Sequence, residues 1–374
     1  MSFEAVERAM DAAVSRRVFP GAVLLVREGT RVCYQRAFGH RSLEPAVTPM
    51  AEDTIFDVSS LTKAFATSVA MMLLVKDGKI RLDDRVTRFF HNFGVHGKTH
   101  VTFRHLLSHA SGLAAWRPYF KDIQQIERRG RINFLGSPGA KDYVYQTLQR
   151  ERLEGQPGQQ AVYSDLGFML LGNAIEDISG MPLDRFCHER IFRPLGLRST
   201  GFVDLALLRT RRVEAVTDMI APTERCPWRK KVLCGEVHDD NAYAMGGVAG
   251  HAGLFASARD LDILLGRLKD SYYGVSPLVP QTLIREFWTR DGSVAESTWC
   301  LGWDTPSASG SSAGAHFSPN SVGHLGFTGT SVWLDLERDR YVILLSNRVH
   351  PSRDNEAIRS FRPVIHDHIV EALR

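Results

Sequence analysis

The sequence of 374 residues has few cysteines and no long hydrophobic segment. Its five cysteines are an odd number without a C-x-x-C pair, which is typical of reduced thiols and not of a disulfide framework. The longest uncharged apolar run, 64–75, has twelve residues. A bilayer span needs ~20. Glu4, Glu7 and Asp11 interrupt the region where a signal peptide would need apolar residues. We therefore expect a cytoplasmic protein with no membrane partner.

A basic stripe, an internal repeat and a Gly/Ser linker are also missing. The 46 Lys and Arg residues nearly balance the 42 Asp and Glu residues, and the net charge of +4 is thinly spread. This pattern predicts no nucleic-acid partner. At roughly 150 residues per domain the length would allow two or three domains. Without a linker, we expect one folded unit over residues 1–374.

Strand patterns lie near both ends of the chain, and helical patterns lie between them. Residues 21–39 and 331–347 each read as a hairpin, with turns near 28–30 and 337–339. Amphipathic helices are expected over the first fifteen residues and over 355–373, while 61–200 has a helical texture. Hairpins near both ends predict one antiparallel sheet covered by the terminal helices.

The helical middle then forms a second lobe of the same unit. We expect one lobe from 1–55 with 240–374 and a mostly helical lobe from 56–239, with a cleft between them. Within 244–257 the sequence AMGGVAGHAGLFAS is rich in small residues, which indicates backbone held close to a neighbouring element. It lacks the Lys-Ser/Thr pair and the βαβ unit of a phosphate-binding loop.

Ser60 and Lys63 are the first candidates for chemistry. They are three residues apart in IFDVSSLTKAF, so a helix starting at Ser60 would put the hydroxyl and the amine on one face. A serine hydroxyl is a poor nucleophile unless a base takes its proton. Lys63 could be that base if burial lowers its pKa from ~10.4 toward neutrality. The alternative is a helix-capping serine followed by a surface lysine, and S-x-x-K alone does not exclude it.

Three further segments follow in order: VTFRHLLSHASGL (101–113), PGQQAVYSDLGFMLLG (157–172) and VGHLGFTGTSVWLD (322–335). Together with Ser60 and Lys63 they make the chain resemble the penicillin-recognising serine hydrolases, on the side of the class C β-lactamases. That side includes D-alanyl-D-alanine carboxypeptidases, D-aminopeptidases and β-lactamase-like carboxylesterases. The resemblance runs from about Pro20 to the last helix. It implies an α/β (α+β) fold of the β-lactamase/transpeptidase type, with an antiparallel sheet flanked by helices plus an all-helical lobe.

The resemblance implies roles for the S-x-x-K and Y-x-N motifs. Ser60 is the nucleophile, Lys63 its partner base, and Tyr163 the phenol that carries protons to and from the leaving group. Asp165 stands where the family most often has Asn. An ionised Asp165 near Lys63 would favour the charged lysine and weaken it as a base, unless Asp165 is protonated or points away toward a helix N-terminus.

The K-T-G motif of the family falls on His324, Leu325 and Gly326. His324 carries a charge only below its ordinary pKa of ~6.5, and Leu325 offers no hydroxyl, so both differences disfavour anionic substrates. The backbone N–H groups of Ser60 and Phe327 are expected to form the oxyanion hole. Asn347 and Arg348 could bind a substrate carboxylate, or could simply end a strand.

Metal catalysis is the main rival chemistry. His105 and His109 are four residues apart and would share a helix face, but no acidic residue lies between them. Within GEVHDDNAYA (235–244), Glu236, Asp239 and Asp240 read as a solvated acidic turn, with a loop over the cleft as the alternative.

We therefore expect a cofactor-free serine hydrolase that acts through an acyl-enzyme on a small-molecule ester, amide or β-lactam. Esters of neutral acyl groups are the favoured substrates. A β-lactamase or D-amino-acid peptidase is the alternative, and a non-catalytic penicillin-binding-like protein is the rival of a different class. The sequence leaves the oligomeric state open.

Overall fold

A six-stranded antiparallel sheet joins the two ends of the chain. The computed structural model describes residues 2–374 except 131, 212, 214 and 276. The strands are β1 (Gly21–Glu28), β2 (Arg31–Ser42), β3 (Thr48–Pro49), β4 (Ile55–Asp57), β5 (Gly201–Phe202), β6 (Arg225–Cys226), β7 (Lys231–Val232), β8 (Leu254–Ser257), β9 (Val322–Leu325), β10 (Ser331–Asp335) and β11 (Arg340–Ser346). The main sheet has the order β3-β2-β1-β11-β10-β9.

Most of the helices lie between the two hairpins. They are α1 (Glu4–Ser15), α2 (Ser68–Lys76), α3 (Phe103–Leu107), α4 (Tyr119–Gly130), α5 (Pro138–Gln149), α6 (Asp165–Ser179), α7 (Leu183–Cys187), α8 (Leu205–Arg211), α9 (Asp240–Ala244), α10 (Ala258–Tyr273), α11 (Gln281–Phe287) and α12 (Ile358–Ala372). Lys63–Thr67 and His188–Phe192 are π-helical turns. Short 3₁₀ turns span Val86–Arg88, His91–Gly94 and Lys98–His100.

Both predicted hairpins and their pairing into one sheet are confirmed. The first hairpin is β1–β2, which extends to Ser42, and the second is β10–β11. The strands that join them, β1 and β11, are antiparallel, with Leu24 opposite Leu344. The predicted terminal helices are α1 and α12, although α12 begins three residues later than expected, at Ile358.

The sheet is covered on both faces, which explains the unbroken apolar run of β1. Successive side chains of a strand point to opposite faces. Leu24 and Val26 pack with residues of α1 and α12 in one buried cluster. Val23 and Leu25 belong to the other cluster, which contains the leucines of α10 and the helical middle. Burial on both sides removes the alternation that a half-exposed strand would show.

The small-residue segment lies against helix α6, as the expectation of close backbone approach requires. A Cβ atom on Gly250 would lie 2.1 Å from the carbonyl oxygen of Phe168 and 2.8 Å from the backbone nitrogen of Gly172. Only glycine fits at such a distance. The segment then continues into β8, the central strand of a small sheet with the order β4-β8-β5. Among the described residues, no helix has both the length and the hydropathy required to cross a membrane.

Candidate active site

Residues at the positions of the S-x-x-K, Y-x-N and K-T-G motifs line one cavity of about 620 Å³. Ser60 lies just after β4, Tyr163 and Asp165 lie at the start of α6, and His324 lies on the edge strand β9. The cavity therefore sits between the main sheet and the helical part of the chain.

A tight turn presents Ser60 at the beginning of a helix. Ser59 has a left-handed backbone conformation (φ 50°), and its N–H donates to Asp57 Oδ1 at 2.8 Å. Helical structure begins at residue 61 and passes through the π-helical turn Lys63–Thr67 into α2. Strained residues and π-helical turns are frequent at functional sites. The local geometry puts the Ser60 hydroxyl beside the first turn of this helix.

Three oxygen atoms surround the buried amine of Lys63. Its Nζ atom donates to Ser60 Oγ at 3.1 Å and to the carbonyl oxygen of His251 at 2.9 Å, and it lies 2.7 Å from Asp165 Oδ1. Burial alone would lower the pKa of Lys63, but the neighbouring Asp165 carboxylate and Tyr163 phenol outweigh it and raise that pKa. The condition under which Lys63 could act as the base, a pKa lowered by burial, is therefore not met, and Lys63 is an ammonium at rest.

Asp165 is the cause of this difference. It is the first residue of α6, and its backbone N–H donates to the carbonyl oxygen of Ala115 at 2.9 Å. Its side chain turns toward Lys63 and not away from it, so that one of the two arrangements considered for Asp165 is wrong. The two residues form an ion pair beside the Ser60 hydroxyl, in which Lys63 is buried and 19% of the Asp165 side chain is exposed.

Tyr163 is held by an aromatic cluster. Its ring stacks on Trp299 with centroids 5.3 Å apart, and the His109 ring lies 4.7 Å away. The Lys63 Nζ atom lies 4.9 Å from the centre of the Tyr163 ring. Burial raises the pKa of Tyr163, and the opposing effect of Lys63 does not cancel it. The phenol is therefore protonated at rest and can donate its proton.

His324 is a neutral acceptor at the position of the family's lysine. Its Nδ1 atom lies 2.9 Å from the carbonyl oxygen of Leu325, which requires Nδ1 to carry the proton. Burial, assisted by the Lys63 charge, lowers the pKa of His324 to about 3. The position of Gly326 has no room for a side chain, because a Cβ atom there would lie 2.0 Å from Thr330 Oγ1. His324, Leu325 and Gly326 all line the cavity, as expected.

Two unpaired backbone donors face the same space. The N–H groups of Ser60 and Phe327 make no hydrogen bond to the part of the chain that the structure describes, and both residues line the cavity. A pair of free N–H groups beside a nucleophile is the arrangement that stabilises a carbonyl oxyanion.

The beta-lactamase family model matches residues 5–362. The chain belongs to the beta-lactamase family. Membership of this family identifies it as a serine hydrolase.

Curated relatives in this family cover most of the chain. A protein of Escherichia coli K12 named "Putative D-alanyl-D-alanine carboxypeptidase" is 32% identical over 365 residues, which are 91% of this chain and 82% of that protein. A protein of Salmonella typhimurium with the same name is 32% identical over 353 residues, 89% of this chain and 79% of that protein.

Solved structures of beta-lactamase-like enzymes share the fold. EstCE1, described as a hydrolase with promiscuous acyltransferase activity, superposes with a TM-score of 0.71 at 21% identity and covers 97% of both chains. The octameric penicillin-binding protein homologue from Pyrococcus abyssi gives a TM-score of 0.70 at 21% identity, covering 98% of this chain and 78% of that one. At these identities the likeness shows the fold, and it confirms the expected fold class.

Asn347 is not part of the cavity, which corrects one expected site residue. Its Oδ1 atom accepts from the N–H of Gly21, and its Nδ2 atom donates to the carbonyl oxygen of Arg41 at 2.7 Å. Both groups tie the end of β11 to the first hairpin. Arg348 does line the cavity, but its Nε atom donates to the carbonyl oxygen of Phe327 at 2.8 Å. It thereby holds the peptide that follows Phe327, the residue with the second free N–H group.

The two histidines considered for metal binding have other roles. Helix α3 ends at Leu107, so His105 and His109 do not share a helix face. His105 takes part in a capping box with Thr102, and His109 Nδ1 accepts from the N–H of Ser164 at 3.0 Å. Within the described residues no group of three or more His, Cys, Asp or Glu side chains is arranged to hold a metal ion.

The acidic segment before α9 belongs to the cavity, so the interpretation as a solvated turn is wrong. Asp239 and Asp240 line the cavity, and Glu236 is buried with Lys231 and Arg229 as ion partners. Sequence reasoning also missed further lining residues that carry no motif: Trp116, His238, His251, Trp299, Asp304, Arg353, Arg359 and Arg362. Residues 235–244 come directly before the small-residue segment in the sequence. That position was the one sign that Asp239 and His251 belong to the site.

Proposed function

We propose that Ser60 is the nucleophile of this serine hydrolase and forms an acyl-enzyme. The observation that carries the proposal is the 3.1 Å contact between Ser60 Oγ and Lys63 Nζ, in a cavity with two free N–H groups. Ser60 Oγ attacks the substrate carbonyl carbon, and the N–H groups of Ser60 and Phe327 hold the developing oxyanion.

The proton of Ser60 requires an acceptor, because Lys63 is already an ammonium. We infer that the ion pair of Lys63 and Asp165 accepts it as a unit. As the Ser60 proton moves to Nζ, one Nζ proton moves to Asp165 Oδ1, which lies 2.7 Å away. Lys63 ends with the same charge, and the carboxylate becomes a neutral acid.

Tyr163 completes the transfer. Its phenol donates a proton to the leaving group as the tetrahedral intermediate collapses, and a proton from Lys63 restores the phenol while Asp165 returns its proton to Lys63. Water then attacks the acyl-enzyme by the reverse sequence of proton transfers. The raised pKa of Tyr163 keeps its phenol protonated, which supports its role as the proton donor during acylation of Ser60.

We expect Asp165→Asn to lower kcat/KM at pH 7 by about 10², the order of one general acid–base contribution. The amide neither raises the Lys63 pKa nor accepts its proton, so the variant needs a neutral lysine. Its activity should therefore rise with pH through the Lys63 pKa, and the acid limb of the pH profile should move to higher pH. The measurement is kcat/KM for an activated ester between pH 5 and pH 10, on both proteins.

Asp304→Asn is the control, because Asp304 lines the cavity without contacting Lys63. Burial raises the pKa of Asp304 to about 6, so it too could produce an acid limb. A pH profile that is unchanged in Asp165→Asn would remove Asp165 from the proton path.

We propose esters whose acyl group lacks a carboxylate as the preferred substrates. The neutral His324 and the apolar Leu325 support this choice, since neither supplies a charge-assisted hydrogen bond at the sheet edge. A carboxypeptidase-like activity is the second candidate. Arg348 and Arg362 line the cavity without an acidic partner in the described chain, and they could meet a substrate carboxylate.

We expect kcat/KM for p-nitrophenyl butyrate to exceed that for benzylpenicillin at least about tenfold, the order of one hydrogen bond to a charged group. His324 should contribute no change in this ratio between pH 6 and pH 8, because it stays neutral at both. The two substrates are compared on one preparation. Penicillin turnover that equals ester turnover at pH 8 would favour the second candidate, with the carboxylate on Arg348.

A further inference from the structure

A second carboxylate, that of Asp239, faces the cavity of Ser60, and the mechanism above does not use it. Its Oδ1 atom accepts hydrogen bonds from the N–H of Ala242 at 2.7 Å and from His251 Nε2 at 2.9 Å. Its Oδ2 atom has no hydrogen-bond partner among the described residues. Because 25% of the side chain is exposed, Oδ2 can meet a bound molecule.

Asp239 is ionised, but no lysine or arginine of the described chain pairs with it. Burial raises the pKa of Asp239, but the His251 ring and the Ala242 N–H outweigh burial and hold this pKa well below its usual range. The adjacent Asp240 pairs with Arg229 at 3.0 Å. In the described chain Asp239 has no such lysine or arginine partner, only the imidazole of His251.

Asp239 lies close to the reacting groups. The carbonyl oxygen of His251 accepts from Lys63 Nζ at 2.9 Å, and the ring of the same residue holds Asp239. The ring of His238, the residue before Asp239, stacks on Phe327 with centroids 5.6 Å apart. His251 therefore links the Asp239 carboxylate to Lys63, and Asp239 lines the same cavity as Ser60 and Phe327.

A second unpaired acceptor lines the same cavity. His324 carries its proton on Nδ1, so Nε2 is an acceptor, and it has no partner among the described residues although the side chain is 2% exposed. A buried acceptor without a partner is destabilising unless a ligand supplies a donor. Together with Asp239 Oδ2, it favours a substrate rich in N–H donors.

We propose that Asp239 binds an ammonium group on the acyl part of the substrate, so that aminoacyl esters or amides are the preferred substrates. The proposal rests on the proposed function, since it requires acylation of Ser60. Four arginines also line the cavity and would repel a cation, namely Arg348, Arg353, Arg359 and Arg362. Arg353 is paired with Glu224 and Asp240, whereas Asp239 has no lysine or arginine partner in the described chain and can accept the ammonium.

The test compares two probes that differ at one nitrogen, which is a charged amine in one and a neutral acetamide in the other. An α-aminoalkyl diphenyl phosphonate and its N-acetyl derivative both form a bond between phosphorus and a serine oxygen, with release of phenol. We expect the amine to modify the wild-type protein about tenfold faster than the acetamide, the order of a hydrogen bond to a charged group. Rates are read from the mass of the intact protein, and the modified residue is identified by peptide mapping.

Asp239→Asn should abolish this preference while the acetamide rate changes little, because Asn can still cap α9. The matched control is Glu356→Gln, which removes one negative charge from an exposed residue paired with Arg359 and should keep the preference. Equal rates for both probes on the wild type, or an amine preference that survives in Asp239→Asn, would overturn the proposal. If neither probe modifies Ser60, the proposed function itself fails, and the inference fails with it.

Discussion

Ser60→Ala should lower the turnover of activated esters by about 10⁴-fold or more, the order seen when a serine nucleophile is removed. The free energy of unfolding should change by no more than about 1 kcal/mol. Ser60 Oγ accepts one hydrogen bond, from Lys63, which keeps its contacts with His251 and Asp165. The measurements are kcat/KM for a p-nitrophenyl ester and thermal unfolding of both proteins.

A fluorophosphonate probe separates catalysis from simple retention of the fold. The wild-type protein should gain the mass of one adduct, and Ser60→Ala should gain none. Turnover retained by the variant would rule out the covalent mechanism. A wild-type protein that neither reacts with the probe nor hydrolyses any ester would support the non-catalytic penicillin-binding-like alternative.

Long elements of the fold could be predicted from the sequence, whereas short ones could not. The segments that became β1 and β11 are apolar runs beside clear turns, so their hairpins were visible without any tertiary information. Strands such as β5 and β6 have two residues each, which is too short for a period of two to be recognised. Their pairing depends on the position of the rest of the chain.

The nucleophile and its neighbours could be predicted from the sequence because each motif lies within a short segment. Ser60, Lys63 and Tyr163 lie together as the resemblance implies. The charge state of Lys63 could not be predicted from the sequence, since it depends on the direction in which the Asp165 side chain points. A sequence pattern gives the identity of a side chain but not its rotamer.

Asp239 and His251 illustrate a second limit. They are twelve residues apart, and their contact depends on the small-residue segment between them being pressed against α6. Asn347 shows the opposite error. It is next to a site residue in the sequence, but its side chain is hydrogen-bonded to the backbone of the first hairpin and does not face the cavity. Whether a polar side chain faces the cavity or is used inside the fold depends on which hydrogen-bond partners surround it. Those partners are set by the tertiary structure and cannot be read from the sequence.

Tyr163→Phe should lower kcat/KM for esters with poor leaving groups by about 10²–10⁴, the range for a general acid–base. The variant keeps the ring that stacks on Trp299 and contacts His109, so the site should retain its shape. Only the O–H group is lost. A p-nitrophenolate leaves without a proton at neutral pH, whereas an alkoxide does not. We therefore expect a much smaller loss for p-nitrophenyl esters than for alkyl esters of the same acid.

The dependence on the leaving group distinguishes proton transfer from packing. Tyr145→Phe is the matched control, because Tyr145 is a buried tyrosine on α5 that does not line the cavity. It should leave the turnover of both ester series nearly unchanged. If Tyr163→Phe reduced kcat/KM equally for every leaving group, the lost hydroxyl would be acting on acylation as a whole, and the Lys63–Asp165 pair would have to protonate the leaving group directly. Nζ would then be the donor, since it already lies 3.1 Å from Ser60 Oγ.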